Sequence, residues 1–301
     1  MQNSDRLPPR DLPRRRSGRH RNPLSFDSWV GTPTFILAVP ATETGDTDQT
    51  GPQLVDLVRS YRPEVTVRSG HVGEGEHSLN EALTDLQPVE DHPLRGIVVP
   101  LTTSPHPATD EAIAAAVESS GADVRVTEAL GPHPMLAETL HLRLAEAGFV
   151  RADRMRLINV VAPSTGMTDG VIVGAVGGED AFNAAGVTAV LLAARLGITV
   201  LPASLDDGEN LRGVLDQLEQ AGCSQPVIAP SAVGPEFSGE EAQALAEHHG
   251  VRASAPLGPD STLAKIAALR YAEVLNSLGI EEPPTTEELP APVGSRHRPE
   301  N

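Results

Sequence analysis

Leu130 to Gly148 reads "LGPHPMLAETLHLRLAEAG", and Leu257 to Leu275, at an offset of 127, reads "LGPDSTLAKIAALRYAEVL". Nine of the nineteen positions are identical. A run that returns in this way marks a duplication if its neighbours return with it. They do: "VVPLTTSPH" (98–106) matches "IAPSAVGPE" (228–236), so that Pro100 and Pro105 answer Pro230 and Pro235. Further back, "VTVRSGHVGEGEHSL" (65–79) echoes "ITVLPASLDDGENL" (198–211). Three blocks in the same order at near-equal spacing define two copies of one unit of roughly 110 residues.

Within each copy, short β-rich runs alternate with helical patterns. The predicted strands are "TFILAVP", "EVTVRSGHV", "GIVVPL" and "ADVRVTEA", then "GVIVGAV", "GITVLPASL", "QPVIAPSAV" and "VRASAP". Between them lie amphipathic stretches such as the one in which Leu136, Leu140 and Leu144 form an i, i+4 stripe. Strand and helix in alternation predict an α/β fold: two tandem domains, each a four-stranded parallel sheet with helices on both faces. Aromatic residues are only 3% of the chain, so Ala, Val, Leu and Ile must build the core. The expected domains are 32–150 and 170–280, joined by a linker over 151–169. Residues 1–31, with seven arginines and three aspartates, read as a disordered basic tail, and residues 281–301 as a disordered acidic one.

The formal net charge is −18, and the segment between the tails carries −19. Such a surface opposes nucleic-acid binding and attracts divalent cations. Cys223 is the only cysteine, which excludes an internal disulfide and a thiolate zinc cage. No apolar run is long enough to span a membrane, and no apolar run follows "RRRSGRH" as a secretory signal requires. The expected location is the cytoplasm.

In parallel α/β sheets, ligands bind beyond the carboxyl ends of the strands. His106 falls on such a loop, after "IVVPL", and is restricted on both sides by Pro105 and Pro107. Thr109 is the expected N-cap of the helix that follows. A loop imidazole in this place can bind a divalent metal or accept a proton; an ordinary loop histidine is the competing reading. His71 ends the second strand, with Glu74, Glu76 and His77 close behind. Imidazole and carboxylate together suit first-row metals, though no paired-histidine spacing occurs, and solvated polar residues compete with that reading. His133 and Asp260 occupy equivalent places before a helix and are expected to cap it, with Pro134 in the first turn. "GAVGGEDA" (174–181) lacks the G-x-G-x-x-G spacing of a dinucleotide site. No Gly-x-Ser-x-Gly elbow is present, and Cys223 has no evident base.

The duplicated unit, the "VVP…SPH…D" loop and above all the "LGPHPMLAETLHLRLAEAG" block resemble the sirohydrochlorin chelatase family, which includes the cobaltochelatases of anaerobic cobalamin synthesis. The likeness covers residues 34–278 and is to the long, internally duplicated form. It implies a lyase that inserts Fe2+ or Co2+ into sirohydrochlorin without ATP, taking a tetrapyrrole and a divalent metal as substrates and no resident cofactor. His106 with Asp110 matches the family's His-x3-Asp, which makes His106 the implied catalytic and metal-binding residue. Pro40, Ala41 and Thr42 stand where the family has His-Gly-Thr or His-Gly-Ser, and Gly73 stands where it has an acid. His71 and Glu74 are the candidate replacement metal ligands, with Glu43 a further oxygen donor. Arg59, Arg62 and Arg68 are candidates to meet substrate carboxylates. Three readings follow: a divergent chelatase, a family member that binds tetrapyrrole or metal or partners an active enzyme without turnover, and a scaffold with docking tails. The sequence gives no indication of oligomeric state.

Overall fold

The computed structural model describes residues 32–41, 49–73, 77–87, 94–151 and 166–278. The expected tails, most of the linker, and Glu43 and Glu74 lie outside the described residues. The first unit runs β1 (Thr34–Val39), α1 (Thr50–Tyr61), β2 (Val67–His71), α2 (Leu79–Ala82), β3 (Gly96–Pro100), α3 (Pro107–Ser120), β4 (Val124–Val126), α4 (Pro134–Glu146). The second repeats it as β5 (Gly170–Ala175), α5 (Glu179–Leu196), β6 (Thr199–Ser204), α6 (Gly208–Gln220), β7 (Pro226–Pro230), α7 (Gly239–His249), β8 (Arg252–Ala253), α8 (Ser261–Ser277).

Both sheets are parallel, in the orders β2-β1-β3-β4 and β6-β5-β7-β8. The duplication extends to register: Ala38 pairs with Pro100 in the first sheet, and Gly174 with Pro230 in the second. Alternation sorts each strand between two cores. Phe35, Leu37 and Val39 of β1 face an inner core shared with the second unit, while Ile36 and Ala38 face an outer core under α2 and α3. Ile172 of β5 faces the equivalent outer core beneath α6 and α7. The molecule is therefore layered as helices, sheet, helices, sheet, helices.

The shared middle layer is where the structure adds to the tandem-domain reading. α8 packs on β3 of the first sheet and against α1, while α4 packs on β7 of the second sheet and against α5. Each unit thus lends its last helix to the other. The repeated Leu-Arg-x-Ala-Glu segment holds this exchange in place. Arg143 of α4 donates from Nε to the Leu257 carbonyl at 2.8 Å, and Arg270 of α8 donates from Nε to the Ala129 carbonyl at 2.9 Å. Glu146 and Glu273, three residues on, pair with the same two guanidinium groups at 2.7 and 3.0 Å. Tyr271 stacks on Phe35 with ring centroids 4.6 Å apart, and its hydroxyl donates to the Pro33 carbonyl at 2.6 Å. Arg195 of α5 donates to Nδ1 of the buried His141 of α4 at 2.8 Å.

Two consequences are measurable. Each arginine supplies charge-assisted hydrogen bonds across the unit boundary, so Arg143→Ala and Arg270→Ala should each cost about 1.5–3 kcal/mol, read as a lower urea midpoint with an unchanged slope. Next to Tyr271, the Glu64 side chain is 1% exposed and lies 3.6 Å from Arg62. Burial holds its carboxyl above the usual carboxylate range, against the pull of Arg62. The folded chain binds this proton more tightly than the unfolded one. The group's stabilisation is therefore full below the ordinary carboxylate pKa and lost as pH rises through the raised one. A melting-temperature profile between roughly pH 4 and 7 should lose this falling component in Glu64→Gln.

Candidate functional site

With β1 flanked by β2 on one side and β3 on the other, the crevice between the β1–α1 and β3–α3 loops is the topological switch point of the first sheet. β1 leads there into buried Pro40 and exposed Ala41. A proline side chain has no donor or acceptor, so Pro40 supplies no metal ligand. β3 leads into Leu101, Thr102, Thr103 and Ser104, all buried. Their backbone is pinned from three sides. The Leu101 amide donates to the Ala38 carbonyl at 2.9 Å, and the Leu130 amide donates to the Thr102 carbonyl at 2.8 Å. The Thr103 hydroxyl donates to the Ser231 carbonyl of the second unit. Gly131 of the repeated Leu-Gly-Pro lies so near the Thr103 carbonyl that no Cβ fits between them.

That pinned segment delivers Pro105, His106 and Pro107. His106 itself is the N-cap of α3, with Pro107 at the first helical position, so the helix starts ahead of the expected Thr109 cap. The reason is that the imidazole does the capping: Nδ1 accepts from the Thr109 amide at 3.3 Å and lies 2.9 Å from the Thr109 hydroxyl. The His106 amide in turn donates to the Asp110 carboxylate at 3.1 Å. This reciprocal pair resembles a capping box, with imidazole and Asp110 in place of the usual Ser and Glu. It leaves Nε2 without a hydrogen-bond partner among the described residues.

The free edge of the ring faces the second unit. A Cβ added at Gly177, in the β5–α5 loop, would lie 3.0 Å from His106 Cδ2 and 2.9 Å from the Pro105 carbonyl oxygen. Gly177 has φ +117, which a side chain rarely tolerates, and its amide is held by the Asp206 carboxylate at 2.8 Å. The crevice around His106 is therefore closed by both copies. In the second copy the counterpart loop has no free group. The Glu236 carboxylate accepts from the Val233 and Gly234 amides at 2.6 and 3.2 Å and is spent on its own turn.

The remaining sequence-based candidates fall elsewhere. His71 pairs with Val39 on the edge strand β2, so it projects toward the inner, α1 side, whereas α3 covers the outer side. Among the described residues no group of three or more His, Cys, Asp or Glu side chains is placed to hold a metal ion. The structure thus does not bring His71 and His106 into a common ligand set. Arg59, Arg62 and Arg68 are not at the crevice either. Arg62 is buried beside Glu64, Arg59 donates to the Val67 carbonyl at 3.1 Å, and Arg68 donates to the Ala82 and Thr84 carbonyls at 3.3 and 2.8 Å. Arg59 and Arg68 fasten α1 and α2 to β2. A groove of about 740 Å3 lies on that free edge, lined by Val55, Arg59, Val67, Ser69, Ser78 and Glu81, away from His106. His133 and Asp260 are caps as expected, accepting from the Met135 amide at 3.2 Å and the Thr262 amide at 2.7 Å. Burial lowers the His133 pKa, and Arg270 lowers it further.

The site is thus one imidazole nitrogen in a crevice between two units. Among the described residues it is the one group here that can accept a proton or make a bond to a divalent cation. No sequence pattern marks Gly177, Thr103 or Ser231, because their roles depend on contacts between the copies.

Residues 42–147 match the CbiX family model. Among solved structures, the sirohydrochlorin chelatase SirB from Bacillus subtilis subspecies spizizenii in complex with cobalt superposes with a TM-score of 0.53 and 14% identity, over 82% of this chain and 97% of that one. SirB from Bacillus subtilis with Fe3+ gives a TM-score of 0.56 and 18% identity, over 82% and 98% of the two chains. No curated protein matches the sequence. The fold these two structures share with this chain spans both units, and the match to the CbiX family model falls within the first of them.

Proposed function

We propose that this protein inserts Fe2+ or Co2+ into sirohydrochlorin in the crevice between its two units, in the cytoplasm, with His106 as the acting group. The observation that carries this reading is the free Nε2 of His106, fixed at the switch point and facing Gly177. Insertion replaces two pyrrole N–H protons by one metal ion. His106 holds the incoming ion by one bond, gives it up to the four ring nitrogens, and then takes one of the released protons; water takes the other. The metal is a substrate and no resident cofactor is required. The net charge of −18 draws in divalent cations and opposes a nucleic-acid partner.

A second reading is favoured by Pro40 and by the place of His71: with one imidazole in the crevice, the protein binds tetrapyrrole or metal without turnover. An anaerobic absorbance assay with sirohydrochlorin and Co2+ or Fe2+ separates the two. Under the first reading insertion outruns the protein-free control, and His106→Ala slows it by about 100-fold or more. A spectral shift on mixing with the tetrapyrrole alone, with no acceleration for either metal, selects the second.

The same assay tests the inter-unit crevice. Gly177→Ala places a methyl group against the His106 ring, so insertion should fall by about 10- to 100-fold while far-UV circular dichroism stays unchanged. An unaltered rate would remove the second unit from the site.

A further inference from the structure

The geometry points to Thr109 as a positioning residue: its side-chain hydroxyl decides whether His106 can offer the Nε2 lone pair to the crevice. This rests on the reading of His106 as the acting group and specifies what that reading requires of its neighbour.

Nδ1 of His106 has two partners, both from Thr109. The backbone N–H at 3.3 Å can only donate. The hydroxyl at 2.9 Å can donate or accept. If both donate, Nδ1 is bare and the proton of the neutral ring sits on Nε2. In that state Nε2 has no lone pair and can neither bind a cation nor take a proton. If instead the ring carries its proton on Nδ1 and gives it to the Thr109 oxygen, the Nε2 lone pair opens beside Gly177. The hydroxyl is the one partner that permits both states. Thr109 is only 3% exposed, so water does not replace it. The Asp110 carboxylate holds the His106 amide in either state, which keeps the loop in place while the ring proton moves.

Removing the hydroxyl without changing the shape isolates this role. In Thr109→Val the backbone N–H remains, so the helix cap survives, but a donor alone faces Nδ1 and fixes the proton on Nε2. Thr109→Ser restores the acceptor. Full-length protein labelled with 15N-histidine, free of metal and at about pH 8, where imidazole is neutral, reports the tautomer directly through long-range 1H–15N correlations. The expected result is a population with the proton on Nδ1 in wild type and in Thr109→Ser, and its loss in Thr109→Val. Titration with Co2+ alone, followed by d–d absorption, should show affinity lowered by about 10- to 100-fold in Thr109→Val and restored in Thr109→Ser.

A wild-type tautomer in Thr109→Val overturns the inference, whatever happens to cobalt affinity. Loss of the Nδ1-protonated form in that variant, in a protein whose wild type takes up no cobalt, supports the role of Thr109 and instead removes the chelatase reading.

Discussion

The exchange of the last helices is the constraint on which the rest of the molecule depends. α8 covers β3, and α4 covers β7, so neither inner sheet face is closed by its own unit alone. The apolar layer between the sheets is one continuous core, and the Arg143–Leu257 and Arg270–Ala129 bonds tie its two halves together from both sides. Once that layer is set, the two switch points have no freedom to drift apart. The contact of the His106 loop with Gly177, and that of Thr103 with Ser231, are consequences of the same packing. The geometry of the crevice is thus held by bonds lying far from it in the chain.

Near-symmetry of the scaffold makes the asymmetry of the loops informative. Both copies anchor the loop after the third strand in the same way, through the amide of Leu130 or Leu257 to the carbonyl of Thr102 or Ala232. Beyond that anchor they diverge. One loop ends in an imidazole with a free nitrogen. The other ends in a carboxylate turned back on two amides, two residues before the Ser238 cap of α7. A buried or half-buried carboxylate that accepts two backbone hydrogen bonds is stabilised where it stands and has little reason to leave. The second copy therefore serves as a wall for the crevice, and the first copy supplies its imidazole.

Much of the fold was legible in the sequence because duplication and strand–helix alternation are local signals. The eight strands fall on the eight predicted runs, and His133 and Asp260 cap helices as their spacing foretold. The block with the strongest repeat, 130–148, told less about chemistry than about assembly: its repeated arginine and glutamate form the latch between units. Misreadings arose where a role depends on long-range contact or on a competing local bond. Thr109 looked like a cap because Ser, Thr, Asp and Asn usually are, but a histidine followed by proline took that position and turned Thr109 into its partner. Arg59, Arg62 and Arg68 looked available for substrate, yet each has a protein partner within a few ångströms. The sheet register also shows that Pro40 corresponds to Val176 and Ala41 to Gly177.

If the protein inserts metal as proposed, Pro40 in place of the histidine that the resemblance implies bears on the energetics of transfer more than on its possibility. A metal gripped by two imidazoles must break two bonds before the macrocycle holds it fully, and each bond kept late raises the barrier. One imidazole binds more weakly and releases more readily. The four ring nitrogens then win the exchange once their two protons have left, because they are preorganised in one plane and the single ligand is not. The cost falls on capture: with one protein ligand, the concentration of metal needed to load the site rises. A strongly acidic surface works against that cost by raising the local concentration of divalent cations. Proline at position 40 and the charge of −18 are in this sense compatible features of one chain.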